Sequence, residues 1–521
     1  MIADAEHSVH PGNAMIRTND EYPITETSAL LSHADPELAH ERRTTDGCVK
    51  GPDATSKSVD DAFTQTTWQQ ESRVLAGYSV PMILTFLLQQ SLTVSSVFAV
   101  GHIGTTELAS VSLATMTANI TGYSIFHGLA TSLDTLCAQA FGSGRKDLVG
   151  LYTQRMVYFL WLTTIPVGVI WLFLAEPVLI GIVPDRTVAH LAATYLRIVF
   201  LGAPGYAAFE AIKRFVQAQG LFSAPLYVLI VCAPVNALLN YIMVWRLQWG
   251  FVGAPIAVAS THVLLPIVLV LYIRFSRTNA AEDGDAPCWT GFTSKAFRNW
   301  GAMIRLSIPG LLMTEAEVLA FEILTFAASR LGTTILATQS VLATLVLIEF
   351  QVPFALSIAT STRIGTHIGA ARLKAARMGL KVTLFAAALV GSINMTLFIG
   401  LRSVIPSLFS SDPEVINNVA NIIPLFAAFQ MFDSLATTCN GILRGLGRQE
   451  MGGYVQMFCY YVVALPVSFG LGFGLDWKLW GLWTGVALGL ALVAAIELAY
   501  IFHTDWKRSI EDARVRNLES D

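Results

Sequence analysis

The sequence predicts an all-α polytopic membrane protein with twelve transmembrane helices in two six-helix lobes. Of its 521 residues, 54% are hydrophobic and 13% are charged, whereas soluble domains are about 25% charged. Twelve apolar segments follow a polar N-terminal region, each near the ~20 residues that a helix needs to cross a bilayer. They cover residues 77–99, 108–135, 151–174, 189–209, 223–245, 251–274, 303–328, 334–360, 379–401, 415–436, 453–474 and 480–503.

Basic residues in the connections between these segments indicate the orientation. With the N-terminus in the cytosol, most Lys and Arg residues fall in the inner connections, and few fall in the outer ones. Cytosolic loops carry such an excess. We therefore expect a multi-pass protein with both termini in the cytosol, in the vacuolar membrane or the plasma membrane.

Composition divides the chain into five regions. A predicted disordered cytosolic tail covers residues 1–70, the N-lobe 71–274, a cytosolic linker 275–300, the C-lobe 301–505 and a cytosolic C-terminal tail 506–521. In the first tail, Glu26, Leu30 and Leu31 fit an acidic dileucine sorting signal, which would bind an adaptor and direct the protein to the vacuole. Such short signals also arise by chance, so a leucine pair without function remains the alternative.

The two halves of the chain repeat. Ordered matches at a nearly constant offset indicate a tandem duplication, and an even number of helices per repeat gives both lobes the same orientation in the membrane. We therefore expect a substrate site between the two lobes. The matched pairs are Val80-Pro81 with Ile308-Pro309, Gly104-Thr-Thr with Gly332-Thr-Thr, Gly142-x-x-Arg145 with Gly369-x-x-Arg372, and Pro204-x-x-Ala-Ala-Phe209 with Pro424-x-x-Ala-Ala-Phe429.

Segment seven carries Glu315, Glu317 and Glu322 near its middle. Each carboxylate at bilayer depth costs about 2.5–3.5 kcal/mol on insertion scales, and acids in such places are functional by default. Glu315 and Glu322 are seven residues apart and share a helix face, whereas Glu317 points nearly the opposite way. The segment is therefore predicted to line an ion or substrate pathway.

Other polar residues within the segments supply further candidates. In the C-terminal half, Asp433 lies in segment ten, and Glu349 in segment eight is, with Glu315, a possible cavity-lining residue. Asp134 and Glu210, near inner ends, are interpreted as structural or conformational, and His127 as a satisfied interior histidine. Gln89, Gln90, Asn119, Asn236 and Asn240 are the possible cavity-lining residues of the first half, and Pro353 and Pro424 are candidate conformational residues.

A pair of carboxylates removed from water can share one proton. An entering cation would favour the ionised form and displace the proton, as proton-coupled cation antiport requires. The phosphate-binding G-x-x-x-x-G-K-S/T motif is absent, so the sequence gives no support for ATP-driven pumping. The six cysteines are scattered without metal-ligand spacing. No catalytic residue, metal, cofactor or nucleic-acid partner is predicted, and the expected state is a monomer.

Several motifs resemble the multidrug and toxic-compound extrusion (MATE) family, in its eukaryotic and fungal branch, over about residues 72–505. In the first half they are Val100-Gly-His-Ile-Gly104 with Glu107-Leu-Ala, Asp134-Thr-Leu-Cys-Ala-Gln-Ala-Phe-Gly142 and Asn236-Ala-Leu-Leu-Asn-Tyr241. In the second half they are Gln339-Ser340, Arg363-Ile-Gly365, Ile368-Gly-Ala370, Gly441-Ile-Leu-Arg-Gly-Leu-Gly-Arg-Gln449, Tyr460-Tyr461, Leu465-Pro466 and Trp480-Gly-Leu-Trp-Thr-Gly485.

This resemblance implies a V-shaped cavity between the lobes and export of organic, often cationic, compounds in exchange for H⁺ or Na⁺. It also implies a cation and proton site formed by Glu317 and Glu322, which have four residues between them as in the family's helix-seven pattern, and by Asp433 in helix ten. The paired aromatics usual after the first acid are Val318 and Leu319 here. Stacking on a flat cation would be weaker for that reason.

Other positions also depart from the family pattern. Glu315 is an extra acid, which would either adjust charge selectivity or form a structural ion pair. Thr344 stands where some animal members have an acid in helix eight, and family asparagines are replaced by Thr366 and Gln456. The predicted function is proton-coupled export of small organic molecules. A Na⁺-coupled exporter, a lipid flippase on a related scaffold and a polytopic membrane enzyme are the alternatives.

Overall fold

The computed structural model describes residues 66–183, 185–276, 287–410 and 412–519, and within these ranges it is helical, without strands. The helices run up and down in sequence order, so their numbers match those of the predicted segments. They are α1 (Trp68–Gly101), α2 (pieces Thr105–Ala118, Asn119–Tyr123, Ser124–Ala130 and Ser132–Gly142), α3 (Lys146–Ile182), α4 (Arg186–Ala218), α5 (Ser223–Arg246), α6 (Gly250–Ser276), α7 (Gly301–Ser329), α8 (Thr333–Gly369), α9 (Leu373–Gly400), α10 (Pro413–Leu446), α11 (Gln449–Gly474), α12 (Lys478–His503) and α13 (Trp506–Glu519).

Ten of these helices are long and apolar enough to cross a bilayer, and α2 and α7 complete the predicted twelve. α2 is interrupted at Thr131, whose hydroxyl donates to the carbonyl of Gly128 at 2.6 Å, a bond that competes with the helical ladder. α7 is one continuous helix, but its acids and Arg305 give it more charge than an ordinary span. The predicted fold class, an all-α polytopic membrane protein, is confirmed.

Helix ends extend beyond the apolar segments on which the prediction rests. α1 begins at Trp68, within the predicted 1–70 tail, because the Thr67 hydroxyl accepts the backbone N–H of Gln70 at 3.2 Å and caps the helix. Residues 1–65, with Glu26, Leu30 and Leu31, lie outside the described residues. The linker ends in an ordered stretch, where Gln154 of α3 donates to the carbonyl of Gly291 at 2.8 Å.

The C-terminal region differs from the predicted tail, because residues 506–519 form the helix α13. Trp506, Ser509 and Ala513 are buried along one side of this helix. An apolar stripe at helical spacing needs a surface to cover it. A search for apolar runs does not detect this helix, because most of its residues are polar.

Each lobe has its own apolar core. In the first lobe the core gathers around Trp171 and Phe126, and in the second around Trp483 and Phe426. The buried indole N–H of Trp483 donates to Gln339 Oε1 at 2.9 Å, as a buried polar group requires. The repeat in the sequence thus corresponds to two helix bundles, and Met303 and Leu306 of α7 join the core of the first.

The lobes meet along the helix halves that the charge bias predicts to be cytosolic. The last piece of α2 packs against the second half of α8, and Ser307 of α7 donates to Ser132 Oγ at 2.9 Å. Glu71 at the start of α1 accepts two hydrogen bonds from Arg363 of α8, at 2.8 and 2.6 Å. We call this region the inner interface.

The glycines of the repeated G-x-x-R motif cross at the inner interface. A Cβ added at Gly142 would overlap the carbonyl of Thr366, and one added at Gly369 would overlap the carbonyl of Gln139. Only glycine lets the two backbones approach this closely. The internal repeat in the sequence therefore corresponds to a reciprocal contact between the lobes.

Candidate functional site

α7 projects its acids in different directions. Glu317 acts electrostatically on Asp433 of α10, whereas Glu315 acts on Tyr461 of α11. This separation agrees with their spacing of two residues on a helix. Glu322 is half-buried, and no hydrogen bond or ion pair joins it to another described residue. The structure thus places Glu317 within electrostatic range of Asp433. Glu322 makes no hydrogen bond or ion pair with either of these acids.

A third carboxylate joins this pair from α8. Glu349 is 7% exposed and Asp433 is 2% exposed, and each is within electrostatic range of the other and of Glu317. Asn394 of α9 donates to Glu349. The amide of Gln430, assigned so that its nitrogen faces the acid, donates to Glu349 Oε1 at 3.0 Å.

The position of Glu349 follows from a break in α8. The two helical stretches of α8, Thr333–Glu349 and Gln351–Gly369, are divided at Phe350. Pro353 has no N–H to donate to the carbonyl of Glu349, four residues earlier, so the ladder cannot close there. Pro353 thus removes one helical hydrogen bond of α8, and Pro424 lies on an exposed side of α10. A conformational role for either proline stays a prediction.

We call Glu317, Glu349 and Asp433 the carboxylate triad. No ion pair connects any of the three to a cation in the ranges that the structure describes. Three negative charges cannot be held together away from water without compensation. The triad can therefore bind protons or an incoming cation, and these two occupants compete.

The first lobe has a different electrostatic arrangement. Glu210 of α4 is fully buried and accepts from Lys213 Nζ at 2.5 Å and from Arg214. His127 Nδ1 lies 3.1 Å from Glu210 Oε2. Gln89 donates to the hydroxyl of Tyr206 at 3.1 Å. This acid is neutralised by its own helix, so it cannot offer an open cation site.

Asp134 joins this network to the other lobe. Its Oδ1 lies 3.5 Å from Arg214 Nε, and its Oδ2 lies 3.8 Å from Arg444 Nε of α10. Both carboxylate oxygens lack a hydrogen-bond partner. Asp134 is thus a buried ion-pair residue at the inner interface. Its interpretation as a conformational residue stays a prediction.

Asn236 and Asn240 do not line a cavity, which corrects their prediction. Both are buried, at 0% and 2% exposure. Asn236 donates to the carbonyl of Leu92 at 3.0 Å and accepts from Thr261 at 3.1 Å, and Ser96 donates to Asn240 at 3.2 Å. They hold α1, α5 and α6 together. Gln90 and Asn119 are exposed.

The repeat relates the two electrostatic arrangements. At the offset that joins Val80-Pro81 to Ile308-Pro309, Gln89 corresponds to Glu317. At the offset that joins the two Pro-x-x-Ala-Ala-Phe motifs, Lys213 corresponds to Asp433. These two acids of the second lobe, Glu317 and Asp433, therefore have a neutral and a basic counterpart in the first.

Comparison with known proteins identifies the family. The MatE family model matches residues 81–242 and 309–469, once in each repeat. The chain belongs to the MatE family. A transporter of Saccharomyces cerevisiae that is named as uncharacterized is 41% identical over 87% of this chain and 64% of its own length. The chain thus spans less than two thirds of that relative.

Other MATE proteins match over more of their length. Multidrug and toxin extrusion protein 2 of Mus musculus is 32% identical over 86% of this chain and 77% of its own. The crystal structure of the eukaryotic MATE transporter AtDTX14 is 29% identical, has a TM-score of 0.81, and covers 86% of this chain and 99% of its own. These relatives confirm a membrane transporter of the eukaryotic MATE branch.

Two positions in this MATE protein contradict or extend the sequence analysis. Glu315 forms no ion pair with the described residues, and its buried Oε1 has no partner, so the structural ion pair considered for it is not present. Glu497 of α12, which the sequence analysis passed over, is 0% exposed with both oxygens unpartnered. The sequence could have revealed Glu497 as a candidate, because it is the single acid in a long apolar helix.

Proposed function

We propose that this MATE protein is a secondary active antiporter that exports organic, often cationic, compounds from the cytosol in exchange for protons. The carboxylate triad is the observation that carries this proposal. It gathers three acids from three helices, of which Glu349 and Asp433 are buried and Glu317 is half-buried, and their charge is offset by no cation among the described residues. Such a site binds protons and cations in competition.

The proposed cycle uses the triad as the exchange site. Protonation of the triad from the outer side neutralises it, releases the substrate outward and permits the return of the lobes. In the inward-open state a cationic substrate favours the ionised acids and displaces the protons to the cytosol. The inner interface, closed in this structure by Glu71 and Arg363, separates these two states. Glu322, by the family pattern, completes the substrate contacts.

Orientation and membrane are part of the same proposal. The charge bias supports cytosolic termini, and the dileucine sequence Glu26, Leu30 and Leu31 supports delivery to the vacuolar membrane through an adaptor, with the plasma membrane as the alternative. The coupling ion is H⁺ and no cofactor is required. The protein works as a monomer on small organic substrates, and the multidrug and toxin extrusion names of its relatives suggest xenobiotics or toxic metabolites.

Transport by the purified full chain in proteoliposomes tests the proposal. An imposed pH gradient should drive accumulation of tetraethylammonium, and Asp433→Asn and Glu322→Gln should each reduce it at least about tenfold, since they remove acids that exchange the proton. Glu176→Gln is the matched control, because Glu176 already pairs with Arg197. If both Asp433→Asn and Glu322→Gln keep full uptake, the site assignment is wrong.

A sodium-coupled exporter is the alternative. A Na⁺ jump at constant pH distinguishes it, because a proton-coupled protein should not respond to the jump. If Na⁺ drives uptake and the pH gradient does not affect it, the coupling ion is Na⁺ rather than H⁺. The proposed site would then stay the same.

A further inference from the structure

A polar pocket lies where α12 ends and α13 begins, outside the carboxylate triad. Its volume of about 270 Å³ corresponds to roughly nine water molecules at ~30 Å³ each, which is room for a phosphate group and part of a polar headgroup. The residues that line it come from the α10–α11 turn, the inner end of α12 and the start of α13, and they are Arg448, Tyr500, His503, Thr504, Asp505 and Arg508. We call it the corner pocket.

The two arginines of the corner pocket keep donors for a ligand. Arg508 is exposed, and no hydrogen bond or ion pair joins it to another described residue. Arg448 Nη2 lies 2.8 Å from Asp512 Oδ2, and Arg448 Nε has no partner. A guanidinium group has five N–H donors, so the ion pair with Asp512 leaves Arg448 able to bind a second anion.

The two carboxylates at this corner already have partners. Asp505 Oδ1 accepts the backbone N–H of Lys507 at 2.9 Å, at the N-terminus of α13, where the helix dipole stabilises a negative charge. Asp512 is the partner of Arg448. Arg508 therefore has no counter-charge of its own among the described residues, and the corner pocket favours an anion.

Two further side chains can complete the contacts to an anion. His503 Nδ1 lies 2.7 Å from the carbonyl of Ala499, so this nitrogen is assigned the hydrogen and Nε2 is left for a ligand. In the protonated ring Nε2 is also a donor. The hydroxyl of Tyr500, which makes no hydrogen bond with the described residues, lines the same pocket.

The corner pocket lies at the level where the apolar part of α12 ends. The side chain of Phe502 is 62% exposed, and the polar residues of the pocket follow it directly. This is the end of the helices that the charge bias predicts to be cytosolic. Anionic lipids are concentrated in the cytosolic leaflet, and basic pockets at this depth suit phosphorylated inositol headgroups.

We propose that the corner pocket binds the phosphorylated inositol headgroup of a lipid in the inner leaflet. Arg448 and Arg508 hold its phosphomonoester, because guanidinium groups bind phosphate in a bidentate geometry. A phosphomonoester carries about −1.5 to −2 charges at pH 7, more than the phosphodiester of an ordinary lipid. The site lies outside the carboxylate triad and goes beyond the proposed antiport.

A bound headgroup would join two parts of the inner side. Arg448 belongs to the turn after α10 and Arg508 belongs to α13, so a phosphate held by both adds a contact beside the ion pair of Arg448 with Asp512. α13 also contacts the first lobe, because Arg516 donates to Gln139 Oε1 at 2.8 Å. Lipid binding should therefore stabilise α13 on the closed inner interface.

Binding to the purified full chain in detergent tests the site. The probe is short-chain phosphatidylinositol 4-phosphate, and short-chain phosphatidylinositol and phosphatidylserine are the reference lipids without a phosphomonoester. Titration calorimetry should give the probe an affinity at least about tenfold higher than that of either reference lipid, because only the probe carries the additional charge.

Variants of α13 locate the binding. Arg508→Gln should lower the affinity for the probe at least about tenfold, and Arg508→Lys should lie in between, because lysine keeps the charge but not the bidentate geometry. Arg514→Gln is the charge-matched control, since Arg514 is exposed on the same helix but does not line the pocket. Equal affinity for all three lipids, or equal affinity of Arg508→Gln and Arg514→Gln for the probe, would overturn the proposal.

The soluble headgroup of the probe distinguishes a lipid from a free inositol phosphate. It should bind at least about tenfold more weakly than the probe, because it lacks the acyl chains that gain apolar contact beside Phe502. Binding as tight as that of the probe would contradict the assignment to a lipid.

Thermal unfolding tests the effect on α13. Saturating probe should raise the unfolding midpoint of the wild type and of Arg514→Gln, but not that of Arg508→Gln. An unchanged wild-type midpoint would overturn the stabilising role of the headgroup. These measurements use no transported substrate, so their outcome is separate from that of the proton-antiport experiments.

Discussion

Glu317 and Asp433 carry acidic side chains that no cation offsets among the residues described, whereas their repeat counterparts are Gln89 and Lys213. The Glu210 carboxylate, adjacent to Lys213 on α4, neutralises the basic side of the first lobe through two ion pairs. Duplication has thus left one lobe with exchangeable acids and the other with internally paired charges. This difference supports our placing the proposed proton and cation exchange in the second lobe.

Replacement of Glu210 should test the structural role of the paired charges. Glu210→Gln leaves Lys213 and Arg214 buried without their main counter-charge, and breaking a buried pair in this way costs about 3–5 kcal/mol. The midpoint of thermal unfolding in detergent should fall accordingly. The double variant with Lys213→Met should recover part of the loss, since it removes one stranded cation. A Glu210→Gln protein as stable as wild type would mean that the ion pairs do not stabilise the lobe.

Sequence reasoning reached the members of the triad because an acid inside an apolar segment is conspicuous. It placed Glu317 and Asp433 in one site with Glu322, on the family pattern, and gave Glu349 only as a possible cavity-lining residue. The approach of Glu349 to the other two acids depends on tertiary packing, which the sequence does not show. The fully buried Asn236 and Asn240 were misread for a related reason. Polarity within a segment does not reveal whether a side chain faces a cavity or a neighbouring helix.

At the scale of the helices, α13 links the two lobes at their inner ends. Arg516 donates to Gln139 of the first lobe at 2.8 Å, and Asp512 pairs with Arg448 of the second lobe at 2.8 Å. Arg145 of the first lobe also donates to the carbonyl of Asn517 at 2.7 Å. A helix attached to both lobes opposes their separation at the inner interface.

Loss of the Arg516 contact should favour the open inner interface. In Arg516→Gln, the helix keeps its fold but releases the Gln139 side chain. A cysteine introduced at the buried Ala138 should then react with a maleimide about threefold faster, equivalent to a shift of about 0.7 kcal/mol in the equilibrium. Arg514→Gln on the exposed side of α13 is the control. Equal labelling rates in both variants would show that α13 does not restrain the lobes.

Most helices could be predicted because a bilayer requires long apolar runs whose backbone groups are satisfied internally. The exceptions have identifiable causes. α2 contains a turn at Thr131 that an apolar count does not detect, and α13 is too polar for any search for membrane spans. α1 and the ordered part of the linker begin earlier in the chain than hydropathy predicts. Capping and tertiary hydrogen bonds, rather than hydropathy, determine where they begin.

At the scale of the whole molecule, the described lobes are joined by a close backbone contact rather than by a large apolar interface alone. Gly142 and Gly369 each allow the facing helix to approach to within backbone contact. Interfaces of this kind are bistable, because a packed contact either fits or separates. The repeated glycine motif, detectable in the sequence as a duplication, is therefore also a part of the contact that must open during the proposed cycle.

Gly369→Ala should shift this protein toward the inner-open state. The added methyl group would overlap the carbonyl of Gln139 across the interface, and overpacking of this kind costs about 1–3 kcal/mol in the closed state only. Spin labels at Asp147 and Arg377, one on each lobe, should report a longer mean distance, and transport driven by a pH gradient should slow. Gly77→Ala is the control, because nothing lies within 4 Å of the added atom. If Gly369→Ala keeps both the wild-type distances and the wild-type rate, the glycine crossing does not govern closure, and the ion pairs of Glu71 and Asp134 would have to hold the inner interface instead.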